Sequence, residues 1–256
     1  MVRRMSHERL RDPCARVAVL SDVHGNLPAL EAVLAEVDEL SVDAIVVGGD
    51  VASGPMPVET LEALRERHAL FVRGNADRVL DLVGANTGET WVRSRYWVAE
   101  RLGDERLAFL TGLPLDLTLE IRGLGRVHFC HGAPGSDELP ITRLTPDERL
   151  RGLLVGVHED VVVCGHTHVQ FDRAVDGIRV VNAGSVGAPY EVEPAAYWAL
   201  LGPDVELRRT DYDVEAALAA FLGSGYPKAA EAESFLRADP GRPARMSALI
   251  EDAVAE

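Results

Sequence analysis

Only three cysteines occur in the 256 residues: Cys14, Cys130 and Cys164. They are too few and too irregularly spaced for a disulfide framework. Cys130 and Cys164 sit inside apolar, strand-like runs, where a free cysteine packs as a small hydrophobe. No apolar run approaches the roughly 20 residues needed to span a bilayer. The N-terminus, MVRRMSHERLRDPCAR, has arginines but no apolar stretch behind them, so it does not read as a secretory signal. Basic residues are scarce as well, with 26 Lys+Arg against 41 Asp+Glu and a formal charge of −15. A surface that acidic repels a phosphate backbone and argues against binding to a nucleic-acid polymer. Bound cations would reverse that field locally. Internal repeats and low-complexity tracts are also missing. The expectation is a reduced, cytoplasmic chain with no membrane segment.

What is present is enough apolar material for a sizeable core: 47% hydrophobic against 26% charged residues, in a length that fits one generous domain or two small ones. Residues 1–14 read as a flexible tail. From Arg16 the chain alternates. VAVL is a short buried strand, and Leu27, Leu30, Val33, Leu34, Val37 and Leu40 recur at helical spacing behind Pro28. AIVVGGD is a second strand, PVETLEALRERH a second helix and ALFVRGN a third strand. This strand–helix–strand order predicts right-handed βαβ units. Residues 77–112 read as mainly helical, with Trp91, Trp97, Leu102, Leu107 and Leu110 as core contacts. After Pro114 hairpins take over: LDLTLEI with RVHFCHG, FDRAV with IRVVNAG across Asp176-Gly177, and AYWALL with VELRRTDYD across Gly202-Pro203. VVVCGHTH is a further buried strand. The segment from Val214 is Ala-rich and helical, with breaks at Gly223–Pro227 and near Pro240–Pro243. The picture is α/β, two sheets packed together with helices outside.

The polar clusters share one placement. Asp22 and His24 follow the first strand, Asp50 the second and Asn75 the third. His131 follows RVHFC, and His166 and His168 follow VVVC. The crevice beyond the carboxyl ends of parallel strands is where open α/β sheets bind ligands. Seven oxygen and nitrogen donors without a thiolate suit borderline divalent metals such as Mn²⁺, Fe²⁺, Zn²⁺ or Ni²⁺. They are too many for one tetrahedral zinc and suit two ions sharing a bridging carboxylate. Two such cations about 3.5–4 Å apart acidify a bridging water and direct in-line attack on a phosphate.

Ser21-Asp22-Val23-His24-Gly25-Asn26, Gly48-Gly49-Asp50, Gly74-Asn75-Ala76-Asp77, His131-Gly132 and Gly165-His166-Thr167-His168, in that order, resemble the motifs of the calcineurin-like metallophosphoesterase superfamily. The resemblance covers about residues 15–225, leaving 226–256 as a helical extension packed on that domain. It implies a four-layer α/β/β/α sandwich and two divalent ions, Mn²⁺ first among the candidates. Asp22, His24 and His168 would hold the first ion, with Asp50 bridging. Asn75, His131 and His166 would complete the second. Asp50, Asn75 and His131 would be catalytic as well as ligating. The implied activity is hydrolysis of a small phosphoester, most of all a phosphodiester, by a hydroxide bridging the two ions. Among relatives, the compact chain and the segment Asn182–Gly187 look most like small stand-alone bacterial and archaeal phosphodiesterases. That segment would close the sheet beside the metals, with backbone N–H groups toward the substrate.

Most of the superfamily has His after the Gly-Asn pair, where this chain has Ala76. The change removes a general acid worth roughly 10²–10⁴-fold in rate. It favours leaving groups of low pKa or diesters, and counts against a protein phosphatase or a dinucleoside polyphosphate hydrolase, the alternatives within the superfamily. A non-catalytic scaffold of the same fold would be expected to have lost ligands, and all seven are here. Among the remaining residues, Asn26 is the better helix cap than Asp22, and Asp77 is expected to cap rather than ligate. His128 should face away from His131, three residues on along a strand. Arg73 should form a sheet-edge ion pair, and His7, His68 and His158 should lie on the surface. The loop 133–145 is a candidate lid whose Asp137 and Glu138 would repel highly charged substrates. Leu218, Phe221 and Phe235 need burial, which places the C-terminal segment on the domain. Oligomeric state is left open by the sequence.

Overall fold

The computed structural model describes residues 13–79, 88–231, 234 and 236–255. The first half runs Val17–Leu20 (β1), Leu27–Glu39 (α1), Ala44–Val47 (β2), Pro57–Glu66 (α2), Leu70–Phe71 (β3) and Glu89–Thr111 (α3). The second half runs Asp116–Ile121 (β4), Gly125–Cys130 (β5), Asp147–Leu153 (α4), Val161–Cys164 (β6), Phe171–Val175 (β7), Ile178–Asn182 (β8), Ala196–Leu201 (β9), Val205–Thr210 (β10), Val214–Gly223 (α5) and Arg242–Ala255 (α6). Local chemistry explains the first helix. Asn26 Oδ1 accepts from the Ala29 N–H at 3.2 Å, Pro28 occupies the first turn, and Leu30, Val33, Leu34 and Val37 form the buried stripe.

The strands form two five-stranded sheets, ordered β10-β9-β1-β2-β3 and β4-β5-β6-β8-β7. β1, β2 and β3 are parallel, as are β5, β6 and β8; the three expected hairpins supply three of the antiparallel pairs, and β9 returns antiparallel beside β1 as the fourth. Side chains alternate across each sheet. Val17 and Val19 face the second sheet, in one core with Val46, Phe129, Val161 and Val163. Ala18 and Leu20 face outward onto α1, α2 and α3, with Trp198 at 0% exposure. On the other flank Val162, Cys164 and Val180 pack under Leu150 and Leu154 of the α4 region. Helices, sheet, sheet and helix are therefore the four layers the sequence leads one to expect.

Two boundaries differ from expectation. Cys14 is buried beside β4, donating its N–H to Glu120 O and accepting from Arg122 N–H, both at 2.9 Å. Order therefore begins inside the stretch read as a tail, whose residues 1–12 lie outside the described ones. The third strand shrinks to two residues because the Arg73 N–H turns to Pro114 O at 2.7 Å, so the chain leaves β2 there. Residues 80–87 of the expected helical stretch lie outside the described residues, and α3 is interrupted at Gly103, with φ 68°. Beyond β10, Phe221, Ala229 and Leu236 form a small core with Met56 and Tyr212, while Phe235 lies outside the described residues. Glu251 of α6 accepts from Thr142 and Thr145 and pairs with Arg149. Among the described residues no helix is long and apolar enough to cross a membrane.

Candidate active site

The loops after β1, β2, β3, β5 and β6 meet at one place. Backbone bonds tie them together: Asp22 N–H to Gly49 O at 3.0 Å, His24 N–H to Asp50 O at 2.9 Å and Gly165 N–H to His131 O at 2.8 Å. Asp22, His24, Asp50, His166 and His168 all have positive φ, between 46° and 65°. L residues adopt that region only where the surroundings over-determine it, and such residues gather at functional sites. The space is also tight. A Cβ on Gly74 would lie 2.1 Å from Asp50 Oδ1, and one on Gly165 would lie 2.0 Å from Ser21 Oγ and 2.5 Å from Asp22 Oδ2. Those two glycines admit the carboxylates to the centre.

Most of the side chains have one atom anchored and another pointing into the cluster. Asp22 Oδ2 accepts from Ser21 Oγ at 2.6 Å and the His166 N–H at 3.0 Å. Asp50 Oδ1 accepts from the Ala76 N–H at 2.7 Å. His131 Nδ1 sits 2.7 Å from Gly48 O and His168 Nδ1 2.6 Å from Ala188 O. A carbonyl only accepts, so both rings carry a proton on Nδ1, which leaves the inward Nε2 as the atom able to ligate. The inward atoms crowd one another. His168 Nε2 is 3.0 Å from Asp22 Oδ1 and 3.2 Å from His24 Nε2. His131 Nε2 is 3.1 Å from Asn75 Oδ1 and 3.2 Å from His166 Nδ1. Asp50 Oδ2 stands between the two groups, 3.6 Å from His24 Nε2 and 3.5 Å from His131 Nε2.

The fit to metal ions can be judged from one atom. Asp22 Oδ1 is buried and lacks a hydrogen-bond partner. An orphaned buried carboxylate oxygen is costly, and a cation relieves it. Lone pairs facing lone pairs at about 3 Å match the spacing of neighbouring ligands around an ion at about 2.1 Å. Asp22, His24 and His168 form one group able to hold an ion, and Asp22, Asp50 and His131 another. All seven residues singled out by the motifs thus come together. Ionisation agrees with their crowding. Burial pushes His24 and His166 down to about 4, with help from His168 and His131 respectively. Burial also opposes charge on His131 and His168, yet the Asp50 and Asp22 carboxylates raise both. Against its burial, Asp22 is held well below the usual carboxylate range by His168 and His131. Burial pushes the Cys164 thiol up to about 12, so it stays neutral and is no competing ligand.

Most of the supporting residues stand as expected. Arg73 Nε pairs with Asp137 at 3.0 Å, His128 Nε2 lies 2.9 Å from Asp116 Oδ1, and His68 and His158 are exposed; His7 lies outside the described residues. Asp77 caps, and does more: its carboxylate accepts from the N–H groups of Gly74, Asp50 and Val51 at 2.8–3.0 Å, fixing the Asp50 backbone. Its burial and the Asp50 charge push its pKa up to about 7. Four expectations need correction. Asp137 is buried and neutralised by Arg73 and Arg78, and Arg78 also binds Glu138, so these two carboxylates present little free charge. That loop does not line the cleft beside the ligands either. The walls include Trp91, Ser94 and Arg95 of α3 together with Phe221, Tyr226, Lys228, Glu231 and Leu236, so Trp91 is a cleft residue and not core. Finally, the Val186 and Gly187 N–H groups are spent on Ser21 O and Asp22 O, so they fix the first ligand loop instead of facing a substrate.

The family model for the calcineurin-like phosphoesterase superfamily domain matches residues 16–202. The chain belongs to that superfamily. Within this phosphoesterase family it is 28% identical over 235 residues to an uncharacterized protein of Methanocaldococcus jannaschii, covering 83% of this chain and 94% of that one. It is 29% identical over 192 residues to phosphodiesterase YfcE of Escherichia coli K12, covering 70% and 84%. A solved metallophosphoesterase from Sphaerobacter thermophilus superposes with a TM-score of 0.71 at 28% identity, over 88% of this chain and 99% of that one.

Proposed function

We propose that the chain is a phosphodiesterase dependent on two divalent ions, Mn²⁺ being the favoured metal, acting on a small phosphodiester in the cytoplasm. Asp22, His24 and His168 would hold one ion, Asn75, His131 and His166 the other, with Asp50 shared. Asp22 Oδ1 carries this reading, because it is buried without a hydrogen bond and faces the imidazole nitrogens of His24 and His168. Such a pair of ions supplies an acidified water as nucleophile, positive charge against the phosphoryl oxygens and a fixed line of attack. The protein supplies rigidity. Gly48 O and Ala188 O hold the imidazole protons on Nδ1 of His131 and His168, and the Ala76 N–H holds Asp50 so that Oδ2 faces both groups.

The leaving group meets no side-chain acid at Ala76. Esters whose alcohol departs as a stable anion are therefore the natural substrates, and activated diesters the best ones. The phosphodiesterase name of the YfcE relative supports the same class. Its test is turnover of an aryl phosphodiester. Chelation should abolish it and Mn²⁺ or Ni²⁺ restore it; a metal-loaded protein with no hydrolysis above buffer would refute the reading.

A further inference from the structure

A cleft of about 360 Å³ opens beside the ligands, with His24, Asp50, Asn75, His166 and His168 on one side. That volume is at the small end for ligand sites and suits a small organic phosphate better than a polymer. Its other side is mostly apolar, with Trp91, Phe221, Tyr226 and Leu236, but it includes two cations, Lys228 and Arg95. Lys228 is already paired, its Nζ 2.9 Å from Glu231 Oε2. Arg95 is different. It is only 6% exposed, its guanidinium lies 4.3 Å above the Trp91 ring, and Nη1 donates to Ala76 O at 2.9 Å. Among the described residues no carboxylate forms an ion pair with it. A buried guanidinium stays charged and has five N–H donors, so leaving it without an anion is unfavourable. The Ala76 peptide links it to the ligand cluster: the N–H of that residue holds Asp50 Oδ1 while its carbonyl holds Arg95.

We infer that Arg95 binds the non-bridging phosphoryl oxygens of the substrate, which is a small phosphodiester whose second ester arm is apolar and lies against Phe221, Tyr226 and Leu236. This rests on the phosphodiesterase reading. Arg95 supplies the positive charge that a histidine at position 76 would have brought, but not the proton, because a guanidinium does not give one up near neutral pH. Stacking on Trp91 holds the planar fork with its edge free for two parallel hydrogen bonds to a phosphate. Burial disfavours the charged form of Arg95, and the Asp50 carboxylate opposes that effect. An arriving phosphate would add to that opposition.

The test compares wild type, Arg95→Met and Arg95→Lys, each loaded with Mn²⁺, in three measurements: bound metal per chain, calorimetric titration with inorganic phosphate, and KM against kcat for an aryl phosphodiester. Charge-assisted bonds to a phosphate predict phosphate binding and KM about tenfold to a hundredfold worse in Arg95→Met, with metal content unchanged. Arg95→Lys should recover part of the loss, since it keeps the charge without the fork. Phosphate affinity and KM equal to wild type in both variants would overturn the inference and leave the phosphodiesterase reading intact. An Arg95→Lys protein that melts early or loses its ions would also overturn it, by making Arg95 a piece of architecture. Wild-type protein that takes up no metal and hydrolyses nothing would refute both together.

Discussion

Replacing Asp50 by Asn changes almost no volume, yet the structure gives it a large effect on metal binding. Asp50 Oδ1 accepts from the Ala76 N–H at 2.7 Å, and that N–H can only donate. The carboxamide must keep its oxygen there, which turns its NH₂ toward His24 and His131, where Oδ2 stood at 3.6 and 3.5 Å. A donor then faces the ions in place of a shared anionic ligand. With Mn²⁺ at a hundredfold excess over Kd, each site stabilises the wild-type fold by about 2.7 kcal/mol, or roughly 5 kcal/mol for two. For a domain of this size that is a rise in Tm of roughly 10–20 °C. Loss of an outer partner of a ligand already weakens metal binding by about 10–100-fold, so loss of a shared ligand is expected to reach at least the upper figure. At the same free Mn²⁺ each site would then be only half filled and give about 0.4 kcal/mol, a rise of roughly 2–3 °C in all. Calorimetric melts of both proteins, with Mn²⁺ and with chelator, make the comparison. An Asp50→Asn variant with the full wild-type rise would refute the placement of Asp50 between two ions.

Three further outcomes follow from the same geometry. His24 and His166, depressed to about 4 in the fold, take up protons in the unfolded chain first, so the metal-free protein should lose stability as pH falls from about 6.5 toward 4. The two histidines alone give a slope of at most about 2.7 kcal/mol per pH unit, and Asp77, raised to about 7 in the fold, opposes them with about half that. Melts of chelator-treated protein should therefore show a net slope of about 1.4 kcal/mol per unit that His24→Asn with His166→Asn abolishes. Gly74→Ala would drive a Cβ to 2.1 Å from Asp50 Oδ1, and should reduce metal content and turnover together even though no ligand is removed; analysis of bound metal alongside rates checks it. Hydrolysis should fall steeply with rising leaving-group pKa, and Ala76→His should flatten that dependence by supplying an acid, as a series of substituted phenyl esters would reveal.

Much of this was legible in the sequence because short-range and long-range signals agreed. The leucine and valine spacing behind Asn26 and Pro28 can only bury one helical stripe, and the hairpin turns fixed three antiparallel pairs. The seven donors were recognisable because each one ends a strand, so topology alone brings them to one edge. The cleft's outer wall had no such signal. Trp91 and Arg95 are ordinary residues of an amphipathic helix until α3 is placed across the ligand loops, and Tyr226, Lys228 and Leu236 belong to an Ala-rich stretch without a motif until they come to the cleft beside α3. Asp137 shows the converse limit: a carboxylate in a loop reads as exposed charge, whereas two distant arginines, Arg73 and Arg78, bury and neutralise it. Asp77 caps, as its place at the start of a helical turn suggests, but its bonds to Asp50 and Val51 span more than twenty residues and depend on the βαβ crossover.

Anomalous diffraction from Mn²⁺-soaked crystals tests the two-ion centre most directly. Two peaks should appear about 3.5–4 Å apart, one against Asp22 Oδ1, His24 Nε2 and His168 Nε2, the other against Asn75 Oδ1, His131 Nε2 and His166 Nδ1, with Asp50 Oδ2 between them. A cluster without anomalous density at saturating Mn²⁺, or density confined to surface carboxylates, would contradict it.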